Sequence, residues 1–204
     1  MSGKAGGGKN TAAEIIIKDI LKLNDNEFYL AAFADPIKEI IQKMFPSCDP
    51  ESLYGDSKLR QNRIASDLDE FSNKSIGTSF RQASIDIGKL GRSYDNNFWV
   101  WHAQNKFNKM KETNIKAYLI SDQRFPEELR WLKSEGFTLC RIKREDNSNI
   151  NDISEYVQDQ LSDDQFDIVI NNNYSLDNLK KQLQQALDKQ FHNNMTYLQV
   201  RNAV

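Results

Sequence analysis

Seven residues at the head of the chain, Gly3-Lys4-Ala5-Gly6-Gly7-Gly8-Lys9, fit the pattern G-x-x-x-x-G-K, and Thr11 follows two positions later. A loop of that composition suits one chemistry. Glycines let successive backbone N–H groups turn toward a single anion with no Cβ in the way, and the lysine adds a positive charge. Lys9 would bridge the β- and γ-phosphates of a nucleotide. Gly3, Ala5, Gly6, Gly7, Gly8, Asn10 and Thr11 would line the rest of the cradle, and a helix predicted from near Thr11 would turn its positive end to the same place. The letters also fit a glycine-rich cloning remnant. The apolar pattern AAEIIIKDIL, which runs on directly from Thr11, favours the phosphate loop.

The elements that must position this loop alternate along the chain. Short apolar runs at 27–34 (EFYLAAFA), 117–121 (AYLIS), 137–142 (FTLCRI) and 166–171 (FDIVIN) have strand length, and their near-continuous hydrophobicity predicts burial on both faces, as in a parallel sheet. Helical patterns occupy 11–21, 36–45, 78–90, 97–111, 126–135 and 176–191. Pro36 and Pro126 sit where a first helical turn accepts proline, and Gly136 where a helix would end. The result is an α/β architecture. The polar stretch 47–75 reads as an insertion or mobile loop, and 145–152 (EDNSNIND) as an exposed loop. There is no internal repeat.

Composition narrows the class. With 204 residues, 39% hydrophobic and 27% charged, the chain can bury one sizeable core. A formal charge of −2 supplies no general attraction to nucleic acid polymer or anionic membrane, so any polyanion must be small and locally gripped. Cys48 and Cys140 are isolated, which argues against a disulfide framework or zinc site and fits a reducing cytoplasm. No apolar run reaches the roughly 18 residues of a membrane span.

Further motifs lie in a recognisable order: Phe33-Ala34-Asp35-Pro36-Ile37-Lys38; Arg81-Gln82 followed by Gly88 and Gly91-Arg92; DNNFW at 95–99; SDQRFPE at 121–127; 136–144; and DIVINNNYSL at 167–176. In this order, and over nearly the whole chain, the sequence resembles phage-type deoxynucleoside monophosphate kinases. SDxRFPxE at a strand end is the most specific piece, and G-K-x-T is the loop variant of nucleoside monophosphate kinases. The resemblance implies a single P-loop kinase domain over 1–204, three-layered around a parallel sheet of order 2-3-1-4-5. It also implies a monophosphate-binding helical region at about 36–112, a lid at about 143–155, ATP and Mg²⁺ as cofactors, and a deoxynucleoside monophosphate as acceptor. A homodimer fits this reading, as does a cytoplasmic location, the host's if the gene is a phage's.

Phosphoryl transfer rests on positioning and on cations that neutralise developing charge. Alongside Lys9, Asp122 at a strand's carboxyl end is placed to hold Mg²⁺ through water, with the Thr11 hydroxyl in support; its bland alternative is a helix cap. Arg124 would clamp the acceptor phosphate, or else pair with Glu127 or Glu128. Arg81 resembles the family arginine directed at the acceptor, and Arg92 is a weaker candidate. Arg144 precedes the lid and would close on the transferring group, a role for which Arg141 is less suited because it lies within a strand pattern. Asp152 stands where the family often carries histidine. Trp99 would stack on the base and Asp35 would bond sugar or base, although aromatics at helical spacing are more often core.

One departure bears on the fold. In the resembled fold a buried strand leads into the phosphate loop, whereas only Met1 and Ser2 precede Gly3, so the first strand is expected to be missing or truncated, through a start assigned too late or a shortened chain. A flanking segment that substitutes for the strand is the alternative. A dephospho-coenzyme A kinase-like enzyme and an inactive nucleotide-binding protein remain as functional alternatives.

Overall fold

The computed structural model describes residues 1–46, 48–55, 59–62, 64, 78–145 and 153–201. In chain order it contains α1 (Lys9–Glu14), which continues as a π-helical turn (Ile15–Ile20), then β1 (Phe28–Ala31), α2 (Asp35–Met44) and α3 (Pro50–Tyr54). These are followed by α4 (Phe80–Tyr94), α5 (Phe98–Lys111), β2 (Ala117–Ile120), α6 (Pro126–Ser134), β3 (Cys140–Lys143), α7 (Ile153–Gln160), β4 (Ile168–Asn171) and α8 (Leu176–Arg201). The fold is α/β, and the described chain divides into two compact units, Met1–Leu30 with Asn114–Val204, and Ala31–Thr113.

In the first unit β3 and β4 pair in parallel, in the register Cys140↔Ile168 to Lys143↔Asn171. Ile142, Ile168 and Ile170 of these strands are buried with Ala12 and Ile16 from the first helix and Leu179 and Leu183 from α8. That packing is why the apolar runs form strands: short β-branched segments gain most of their stability from covered faces. β3 begins later than the run at 137–142 suggests. Gly136 adopts a left-handed φ of 79° after α6, Phe137 donates its N–H back to the Leu132 carbonyl, and its ring lies 5.8 Å from that of Trp131. Phe137 thus completes the helix end instead of opening the strand.

The sheet departs from the expected five-stranded order 2-3-1-4-5. The described strands form two separate two-stranded sheets, β1-β2 and β3-β4. Between them only Ser2 pairs, by isolated parallel bridges to Gln123 on one side and Arg141 on the other. A single rung is too short to count as a strand. On the amino side of that rung lies a cavity of about 560 Å³ whose walls include Met1, Ile16, Leu119, Ile120, Leu139 and Leu183. The amino group of Met1 donates to the Ile120 carbonyl, and burial pushes its pKa below the ordinary value of 8.0.

The second unit is helical and has its own core of Ile37, Ile41, Leu53, Ile64, Phe80 and Trp99. Its span overlaps the helical region placed at 36–112 by sequence. Local signals start its helices: Pro36 lies in the first turn of α2, the Asp49 carboxylate accepts from the N–H groups of Glu51 and Ser52 at α3, and Ser79 Oγ accepts from Gln82 N–H at α4. α4 runs past Leu90 to Tyr94, through Gly91. A Cβ at Gly91 would stand 2.5 Å from Trp99 Cζ2, so glycine lets the indole lie against the helix. α3 falls inside the stretch read as an insertion, and most of 56–77 lies outside the described residues, as does 146–152 at the centre of the expected lid.

Candidate active site

The glycine loop is folded against the ends of β3 and β4. Gly3, Gly6 and Gly8 have φ of 131°, 73° and 92°, the left-handed region where side chains are strained. Gly8 stands at the start of α1. A Cβ at Gly3 would lie 2.2 Å from the Ile142 carbonyl oxygen, one at Gly7 3.1 Å from the Lys4 carbonyl oxygen, and one at Gly8 2.4 Å from Asn172 Nδ2. Glycine is therefore required at Gly3 by the backbone of β3, whereas the contact at Gly7 is merely tight and the obstacle at Gly8 is the end of a side chain. Asn172, just after β4, donates from Nδ2 to the Gly7 carbonyl at 3.0 Å. Its role was not visible in sequence, because only the fold brings residue 172 to residue 7.

Lys9 is 8% exposed and curls into the loop it follows, donating from Nζ to the carbonyls of Gly3 (2.7 Å) and Lys4 (2.6 Å). The ammonium is thus held inside a tight turn by the loop's own carbonyl oxygens. Asn10 and Thr11 are exposed on the first turn of α1. Ala5 is part of the turn Lys4–Gly7, closed by the Gly7 N–H on the Lys4 carbonyl.

Asp122 and Arg124 follow β2. The N-terminal end of α6 is served by Glu128, whose Oε2 accepts from the N–H groups of Arg124 (2.7 Å) and Phe125 (3.0 Å). Glu128 is 5% exposed, and Glu127 pairs with Arg130 at 3.1 Å. Burial is the largest cause of the lowered Met1 pKa, with smaller opposing effects from the Asp122 carboxylate, which raises it, and the Lys9 ammonium, which lowers it. Among the described residues no group of three or more His, Cys, Asp or Glu could hold a metal ion. Asp122 and Thr11 provide one carboxylate and one hydroxyl, the kinds of donor Mg²⁺ accepts beside substrate phosphates and water.

Arg144 follows β3 directly and is exposed. Arg141 lies inside β3, donating to the carbonyls of Leu161 and Gln158 and to Asp163 Oδ1 at 3.1 Å, with its guanidinium 5.2 Å from the Phe166 ring. Asp163 is held below the usual carboxylate range, first by its hydrogen bond from Lys143. Arg141 thus ties the strand to the chain that precedes β4.

The other candidates belong to the second unit. Asp35 opens α2 and closes the preceding turn, accepting from Ala32 N–H at 2.8 Å and from Lys38 Nζ at 3.4 Å. Arg81 and Arg92 lie on α4; Arg81 Nε is buried with no hydrogen-bond partner, and Arg92 passes close to Gly88. Trp99 is 3% exposed and donates its indole N–H to the Gly88 carbonyl at 2.9 Å, which locks α5 to α4. Its ring is packed in the core of that unit.

Residues 89–183 match the family model Deoxynucleotide monophosphate kinase. The match takes in Arg92, Trp99, Asp122, Arg124 and Arg144 but not the glycine loop, Asp35 or Arg81, and it covers less than half of the chain. Over that stretch the protein is similar to a family of nucleotide kinases. No curated protein matches the chain. Among the described residues no helix is long and apolar enough to cross a membrane.

Proposed function

We propose that this protein transfers the γ-phosphoryl group of ATP to a deoxynucleoside 5′-monophosphate. The observation that carries the reading is the glycine loop with Lys9 at its centre, folded against the strands of the stretch that matches the kinase family. The match does not include the loop, so the two supports are independent. Lys9 binds the donor phosphates and offsets charge as the bridging bond breaks. Arg124 holds the acceptor phosphate, Arg81 and Arg92 bind the same substrate, and Arg144 steadies the transferring group. Asp122 and Thr11 would hold Mg²⁺, which supplies further neutralisation of the phosphate oxygens when bound. Asp35 is assigned to the nucleoside; Trp99, expected from sequence as a stacking surface for the base, is packed in the core against Gly88 and is not given that role. A coupled assay with ATP, Mg²⁺ and each deoxynucleoside monophosphate in turn tests the proposal; no turnover with any of them would refute it.

A second reading, a nucleotide-binding protein without turnover, is favoured by the two loop carbonyls that engage the Lys9 ammonium. It predicts ATP binding by calorimetry with no product in the coupled assay.

Two substitutions separate the roles. Arg124→Ala is expected to raise KM for the monophosphate at least tenfold, about 1.4 kcal/mol of lost binding, while KM for ATP changes less than twofold. Equal effects on both substrates would move Arg124 to the donor side. Asp122→Asn is expected to shift the Mg²⁺ concentration for half-maximal rate upward by about an order of magnitude, the scale of one lost charge–charge contact at a metal. A superimposable magnesium titration would remove Asp122 from the metal site.

A further inference from the structure

Gln158 is 0% exposed, on a helix whose Tyr156 is 65% exposed. Burying a primary amide is costly unless its acceptor and its donors are all used. Here they are. Gln158 Oε1 accepts from Ser2 Oγ at 2.8 Å, and Nε2 donates to the Arg124 carbonyl at 2.8 Å and to the Gln123 carbonyl at 3.3 Å. Its own backbone carbonyl accepts from Arg141 Nη2 at 2.6 Å. The next residue, Asp159, forms an ion pair with Lys4 of the glycine loop at 2.7 Å. Two successive residues of α7 therefore hold the head of the loop and the segment that follows β2.

We propose that Gln158 is a positioning residue that joins the Gln123-Arg124 backbone to Ser2 at the head of the glycine loop, so that α7 sets the relative aim of Arg124 and Lys9. The inference rests on the kinase reading for its functional consequence and on the hydrogen bonds alone for the coupling. Glutamine suits the position because the side chain must present donors to two carbonyls and an acceptor to a hydroxyl at once. Methionine has neither, and a glutamate carboxylate would face the two carbonyls with lone pairs. The Gln123 side chain is buried beside this junction, its Nε2 donating to the Phe125 carbonyl at 2.9 Å and its Oε1 without a hydrogen-bond partner among the described residues.

The test is Gln158→Met in the full chain, read by amide hydrogen exchange and by steady-state kinetics. Exchange at Gln123, Arg124 and Phe125 is expected to quicken at least tenfold, with the amides of α2 and α5 unchanged. KM for the monophosphate is expected to rise at least fivefold, with kcat reduced less than twofold. Unchanged exchange at 123–125, or a uniform rise across the protein, overturns the coupling. Local exchange that rises while the ratio of KM to kcat stays fixed overturns the positioning role. Gln158→Asn keeps a neutral amide but draws it back by one methylene from its three partners; the same local effect is expected from it, and it decides the matter if the methionine variant does not fold. If the unaltered protein phosphorylates no monophosphate, the kinase reading has failed, and the exchange measurement still decides the coupling.

Discussion

Replacing Lys9 by methionine is expected to lower kcat by about a thousandfold, roughly 4 kcal/mol of transition-state stabilisation, the upper range for removing one preorganised charged donor. Methionine is the informative choice because Lys9 is nearly buried, and an unbranched chain of similar length fills the space its stem occupies. Alanine would add a void to the lost charge, and the two effects would be confounded. Some stability is also expected to go, since the carbonyls of Gly3 and Lys4 each lose a donor, at about 1 kcal/mol apiece. The two losses are separable. A thermal melt reports the hydrogen bonds, and single-turnover kinetics on the folded fraction reports the catalytic charge. A folded variant with near-normal kcat would sink the assignment of Lys9 to the donor phosphates.

The second large effect is structural. Gly3→Ala is expected to cost about 3 kcal/mol or more in unfolding free energy, well beyond an ordinary surface substitution. Two penalties coincide there: φ is 131°, and the new Cβ would stand 2.2 Å from a backbone oxygen of β3 that cannot rotate away. Gly136→Ala provides the contrast, with a φ of 79° and no atom within 4 Å of the added Cβ, so only the backbone strain of about 1 kcal/mol remains. Gly8→Ala should fall between the two, because its obstacle is the end of the Asn172 side chain and can shift. Chemical denaturation of the three variants gives the ranking directly. If Gly3→Ala unfolds no more easily than Gly136→Ala, the loop does not lie against β3 as described.

These two predictions separate what could be read before folding from what could not. The strands at 117–121 and 166–171 were legible because a segment covered on both faces must be apolar throughout, the helix at 126–135 because periodicity, a first-turn proline and a terminal glycine agree, that at 36–45 from periodicity and its proline, and that at 97–111 from periodicity alone. The glycine loop ending in Lys9 was legible as a phosphate-loop candidate from its spacing together with the apolar pattern after Thr11, and its ligand remains a proposal. α3 and α7 were not, since short helices in polar sequence owe their existence to packing and caps more than to periodicity. The opening of β3 at Cys140 in place of Phe137 was likewise a tertiary outcome, because Phe137 meets Trp131 and the Leu132 carbonyl first.

Sequence by itself determined the kinds of residue available: a glycine loop with a lysine, a strand-end aspartate and arginine, and apolar runs able to form parallel strands. Tertiary structure alone decided their partners. It placed Asn172 against Gly7, gave Gln158 to Ser2 and Arg124, and buried Trp99 against Gly88. The physical reason is range. Spacing and periodicity express interactions a few residues apart, whereas each of these bonds between distant residues forms only after the chain has returned on itself, and the need to satisfy buried polar groups then selects which side chains meet.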